Sequence, residues 1–257
     1  MTEHAPPPHT FRGGKTIYGA SVGVLMLETR FPRVVGDMGN AATWPFPVHY
    51  EVVPGASPDR VVRRQAEGLR DDFIAAAQRL VARGADGITT TCGFLALFQD
   101  DLAAACGVPV AASSLMQAPW VQAMLPPGQR VGIITISKNS IRDTHLAAAK
   151  VPEGTPIVGT DGGREFTTAI LDDHPTLDVA ASRLDILDAG HALVSGHPDV
   201  GAIVLECANM APHAPALREA FGRPVYSIYS LVTWFQAGLM PRRFDVDLVD
   251  TRPSGWG

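Results

Sequence analysis

The chain repeats itself at an offset of 115 residues, and thiols mark the repeat. Cys92 closes the run Gly84-Ala-Asp-Gly-Ile-Thr-Thr-Thr-Cys92, and Cys207 closes His197-Pro-Asp-Val-Gly-Ala-Ile-Val-Leu-Glu-Cys207. The same offset carries Gly107 onto Gly222, Pro109 onto Pro224, Val110 onto Val225 and Met124 onto Leu239. Such a chain is restricted to folds made of two like units, each placing one cysteine at the end of a buried strand. Two thiols delivered to one cleft are what a two-base proton-transfer enzyme requires.

Within each unit, short continuous apolar runs alternate with helical patterns. Ile17–Leu27 reads as a buried strand, followed by a long Pro- and Gly-rich loop over 28–58 with a strand near His49–Val53 inside it. Val62, Ala66, Leu69, Phe73, Ala76 and Leu80 recur at helical spacing, which predicts one helix over 59–83. Gly84 stops that helix as a C-terminal cap. Strands at Gly87–Thr91 and Val108–Ala112 alternate with helices over 95–105 and 115–125, and Pro126-Pro127 ends the first unit. Arg130–Ile136 then echoes Ser21–Leu27. Helices over 139–149, 164–172, 176–195, 212–220 and 229–239 and strands near 157–158, 200–206 and 225–228 complete the second unit.

Continuous apolar strands between helices indicate parallel sheets covered on both faces. The expected fold class is therefore α/β, with two pseudo-symmetric α/β/α domains and the active site in the cleft between them. The boundaries read as a flexible tail at 1–15, a first half at 16–125 carrying Cys92, a second half at 126–240 carrying Cys207, and an extension at 241–257. The C-terminal helix is also a candidate to complete the first half. Ligands of open parallel sheets bind off the carboxyl ends of the strands, where both cysteines fall.

Composition narrows the class of protein. Apolar residues make up 46% and charged residues 18% of the chain, enough for a well-buried core. A net charge of −5 without a basic stripe argues against nucleic acid. No apolar run reaches the length of a membrane span, and Met1–Lys15 lacks the apolar centre of a signal peptide. Three cysteines form no disulfide framework, so reduced thiols in a cytoplasmic protein are expected. The histidines show no metal-like spacing, so no metal site is expected.

A thiol between a strand end and a helix N-terminus is expected to ionise more readily than usual. Lowering its pKa by about one and a half units takes about 2 kcal/mol of preferential thiolate stabilisation. The amides of Gly93, Phe94, Ala208 and Asn209 are placed to bind carboxylate or enolate oxygen. Cys106 has Phe221 at its repeat position and reads as packing. Glu206, next to Cys207 on an extended strand, is expected to point to the other face by alternation.

The segments Thr-Thr-Thr-Cys92-Gly93-Phe94 and Leu-Glu206-Cys207-Ala208-Asn209, set in two like α/β halves, resemble the aspartate/glutamate racemase superfamily. That group includes glutamate, aspartate and hydantoin racemases, maleate isomerase and arylmalonate decarboxylase. The resemblance covers roughly residues 16–240. It implies a cofactor-independent racemase or epimerase, with Cys92 and Cys207 as acid and base at the carbon next to a carboxylate or carbonyl of a small acid. It also implies no cofactor, a small anionic substrate, and homo-oligomers, to which the apolar helix ending near Leu239 could contribute. Substrate contacts are expected from Thr29 and Arg30 after the first strand and from Thr135 and Ser137 after its counterpart. The usual Cys-Asn-Thr is here Cys92-Gly93-Phe94, which leaves one wall apolar and argues against glutamate itself. A maleate-type cis-trans isomerase with a cysteine nucleophile and a non-catalytic small-acid binding protein are the alternatives.

Overall fold

The computed structural model describes residues 13–242. The tail at 1–15 and the extension at 241–257 thus lie almost wholly outside the described residues. Two four-stranded sheets carry the fold, and every pairing between their strands is parallel. The first comprises β1 (Val22–Leu27), β2 (Val48–Val53), β3 (Gly87–Thr90) and β4 (Val110–Ala111), in the order β2-β1-β3-β4. The second comprises β5 (Arg130–Thr135), β6 (Ile157–Gly159), β7 (Val200–Leu205) and β8 (Val225–Tyr226), in the order β6-β5-β7-β8. The two orders are the same once the second unit is renumbered, so the sequence repeat is also a repeat of topology. All of β1 and β3 is buried, which is why neither alternates: β1 is an unbroken apolar run, and the buried Thr89 and Thr90 of β3 donate their hydroxyls to the Ala111 and Ala112 carbonyls.

Helices cover both sheets: α1 (Arg70–Ala82), α2 (Gln99–Cys106), α3 (Ala118–Met124), α4 (Asp143–Ala148), α5 (Phe166–Leu171), α6 (Val179–Gly196), α7 (Ala214–Phe221) and α8 (Ile228–Leu239). The last of these crosses to the first sheet. Its residues Ile228, Leu231, Val232 and Phe235 form one buried cluster with Val22, Val24 and Met26 of β1. Gly87 allows this approach, because a Cβ there would run into Phe235 and Leu239.

One element departs from its periodicity. The helix expected over 59–83 is broken into a π-helical turn at Asp59–Arg63 and α1. Between them Gln65 and Ala66 take left-handed backbone angles, φ 56° and 54°, a conformation disfavoured for residues with a side chain. Local bonds hold the break: Arg60 Nε donates to the Glu67 carbonyl, and Gln65 Nε2 donates to the carbonyls of Val62 and of Ser140 in the other half. Apolar spacing continues through the break because Ala66 and Leu69 within it are buried, as are Val62 before it and Phe73 after it.

Candidate active site

Register sets the two thiols at equivalent points. Thr90 is paired with Leu25, and Leu205 with Ile134, at the carboxyl ends of the central strands. Each cysteine lies two residues beyond. Each also precedes a six-residue 3₁₀ helix, Gly93–Phe98 or Ala208–His213, which runs on into α2 or α7. Both units then end on a left-handed glycine, Gly107 and Gly222, each with φ 66°. Cys106 is buried on α2 in the apolar core, consistent with packing.

Between the halves Cys92, Glu206, Cys207, Asn209, Arg33 and Phe31 line one cavity, together with apolar side chains that include Leu27, Val62, Ile136 and Leu171. Its volume is about 20 Å³, room for about one water molecule.

The thiols are not acidified as expected. Burial, followed by the nearby Glu206 carboxyl, pushes the Cys92 thiol well above the ordinary range. The amides of Phe94 and Leu95 and the Arg33 charge act in the opposite direction but are outweighed. Cys207 is raised by burial, then by Glu206, then by Cys92 itself. The helix-end amides do favour thiolate, but removing a charged sulfur from water dominates. The two sulfurs and Glu206 thus share one electrostatic field.

Cys207 ends a chain of hydrogen bonds that starts in the first loop. Its Sγ donates to Asn209 Oδ1 at 3.5 Å, and Asn209 Nδ2 donates to Asp37 Oδ2. Asp37 Oδ1 accepts from Arg33 at 2.8 Å and from the Gly39 amide at 2.7 Å. Arg33 also donates to Thr29 Oγ1 at 3.1 Å and lies over the Phe31 ring at 4.7 Å. The Arg33 and Asp37 side chains are only 12% and 4% exposed.

Glu206 contradicts the alternation rule. The ladder of β7 stops at Leu205, and the chain turns there into its 3₁₀ helix. The carboxyl consequently lies in the cavity with Cys207. Oε2 accepts from Thr135 Oγ1 at 2.8 Å and from the Ile136 amide at 3.3 Å, while Oε1 has no donor among the described residues. Burial raises its pKa to about 7, with the Thr135 and Ile136 bonds opposing the rise. A Cβ on residue 93 would collide with Oε1 and with the Glu206 main-chain carbonyl, so only glycine leaves this space.

The other expected contacts divide. Asn209 lines the cavity, whereas Ala208 packs with the cluster under α8. Arg30 is not a cleft residue: its side chain is 74% exposed and pairs with Asp173 at 3.1 Å. The cleft arginine is Arg33, three positions on. Thr29 acts behind it, as acceptor for Arg33. Thr135 holds Glu206. Ser137 turns away to Ser140 and Asp161. Phe94 is buried in the first core with its ring edge-on to His145 at 4.9 Å, so it does not form the expected apolar wall of the cavity. Gly93 contributes the room that Glu206 fills. His213 is buried against Phe166 and does not line the cavity. Arg33, Asp37 and Glu206 were missed as a set. The i, i+4 spacing of Arg33 and Asp37 was the readable sign of that pair.

The chain has the fold of the aspartate/glutamate racemase superfamily. A glutamate racemase from Bacillus anthracis superposes with a TM-score of 0.56 at 14% identity, covering 85% of this chain and 82% of that one. A sulfate-associated mutant form of arylmalonate decarboxylase gives 0.56 at 18% identity, over 85% and 92%. No family model matches the chain.

Relatives by sequence carry a different activity. A dimethylsulfoniopropionate lyase of Durusdinium sp. clade D is 28% identical over 93% of this chain and 81% of its own length. Dimethylsulfoniopropionate lyase 7 of Emiliania huxleyi (strain CCMP1516) is 28% identical over 88% and 70%. The chain is an enzyme by these likenesses. The expectation of a racemase or epimerase is corrected, and with it those of a cis-trans isomerase and a non-catalytic binder: the relatives are lyases. Among the described residues no helix is long and apolar enough to cross a membrane.

Proposed function

We propose that the chain is a lyase acting on dimethylsulfoniopropionate, by removal of a proton next to the carboxylate and expulsion of dimethyl sulfide. The observation that carries the reading is one cavity lined by two thiols and a carboxyl, in a chain whose relatives are named as lyases of that compound. Cys92 is assigned as the base. Its sulfur faces the Phe94 and Leu95 amides, which stabilise the thiolate. Cys207 is assigned as a neutral thiol, since its proton is directed to Asn209.

The electron count closes without a redox partner. Cys92 thiolate takes the α-proton, and the C–H pair forms the double bond to the β-carbon. The β C–S bond breaks, and its pair leaves with sulfur as neutral dimethyl sulfide. Acrylate remains, and the Cys92 thiol returns its proton to solvent. Arg33 is the cation placed to face the substrate carboxylate and the charge that develops there. Burial and the neighbouring Glu206 make ionising Cys92 costly; the sulfonium charge of the substrate favours it. The substrate is far larger than one water, so Phe31, Pro58 and Leu171 at the cavity wall must part to admit it.

The test is an incubation with dimethylsulfoniopropionate and with its α-dideuterated form. The proposal expects dimethyl sulfide from wild type, a slower rate with deuterium, and a rate about 10²–10⁴-fold lower from Cys92→Ala. An unchanged rate in Cys92→Ala would remove that residue as the base.

A further inference from the structure

We propose that Glu206 selects the substrate by charge: its free carboxylate oxygen pairs with the cationic group on the β-carbon, so the cleft prefers an onium-bearing carboxylate to its uncharged isostere. This rests on the lyase reading of the same site and names what that site recognises.

The geometry is that of an acid arranged to meet a cation. Glu206 is 1% exposed. One oxygen is held by Thr135 and Ile136, which fixes the side chain in place. The other oxygen is buried and has no donor among the described residues. Ionised carboxylates are seldom buried without a partner. No basic side chain among the described residues pairs with Glu206. The cavity arginine, Arg33, bonds to Asp37 and Thr29 and not to Glu206, while still lining the cavity. Gly93 makes room for the carboxyl itself, since any larger residue would occupy the position of its free oxygen.

The remaining groups that face Glu206 add no positive charge. Cys92 and Cys207 are thiols whose ionisation would repel the carboxylate, and Asp37, which acts on Cys207, is itself anionic. A zwitterion therefore has two complementary ends to find: Arg33 for its carboxylate and Glu206 for its cation. Because burial holds Glu206 near pKa 7, pairing with a cation ionises it. At pH 7 this releases a fraction of a proton per bound molecule.

The test is direct binding with two inert isosteres, 3-(trimethylammonio)propionate and 4,4-dimethylpentanoate, which differ only in the charged atom. Titration calorimetry on wild type is expected to show the cationic isostere binding on the order of tenfold tighter or more. Repeating it in buffers of different ionisation enthalpy is expected to show proton release. In Glu206→Gln, which keeps size and the Thr135 and Ile136 bonds, both the preference and the proton release disappear. Equal preference in wild type and Glu206→Gln overturns the inference, even if dimethyl sulfide is made. Loss of the preference in Glu206→Gln supports it, even if no lyase activity is found, so the two claims fail separately.

Discussion

Removing the charge from Glu206 should change how stability depends on pH, and the size follows from its burial. Its pKa lies near 7 in the fold against an ordinary 4.5. A rise of that size corresponds to about 3 kcal/mol. The sign is set by proton binding: between pH 4.5 and 7 the folded chain holds a proton that the unfolded chain has lost. Stability therefore falls as pH rises through this window, and above pH 7 the full penalty applies. Two buried histidines act the other way. His145 and His213 are held near pKa 4 by burial, so the fold gains stability as pH rises from about 4 to 6.5. They are present in both proteins, so the difference between wild type and Glu206→Gln isolates the carboxyl. Urea unfolding at several pH values is the assay. The variant should gain up to about 3 kcal/mol relative to wild type between pH 5 and 8, or roughly 6–12 °C in melting temperature for a chain of this size. A buried glutamine amide without a partner lowers the variant by a constant amount, so the slope, not the offset, is decisive. Parallel curves for the two proteins would refute the reasoning.

Arg33→Met should destabilise the fold by about 3–5 kcal/mol, because Asp37 stays buried without its cation, while Arg30→Met should change stability by less than about 1 kcal/mol; chemical denaturation distinguishes them. Gly93→Ala should force Cβ onto the Glu206 carboxyl, lower stability by roughly 1–3 kcal/mol and depress turnover, seen by melting and headspace gas chromatography together. Cys92→Ala should lower dimethyl sulfide production by about 10²–10⁴-fold, with Cys106→Ala close to wild type, under the same assay at saturating substrate.

The architecture was legible because parallel strands buried on both faces leave apolar runs without alternation, as β1 and β7 do throughout and β5 does between Arg130 and Thr135. The matched cysteines were legible because the repeat extends through their 3₁₀ helices to the left-handed glycines. Loop residues were less so. Arg30 and Arg33 lie in one irregular segment without a period, and which of them enters the cleft depends on distant partners: Asp173 holds the first outside, and Asp37 holds the second inside. Glu206 was misplaced because alternation was extended one residue past the end of β7. The break before α1 was hidden because the buried Ala66 and Leu69 carry the helical spacing through it. The reaction itself was illegible for a chemical reason. Two thiols at strand ends indicate access to an acidic carbon, but the fate of the electron pair depends on whether the substrate carries a leaving group.

The most direct test of the account is a time course of purified chain with dimethylsulfoniopropionate, followed by gas chromatography for dimethyl sulfide and proton NMR for acrylate. The account predicts that both form together in equal amounts. Absence of dimethyl sulfide, or its formation without matching acrylate, would contradict it.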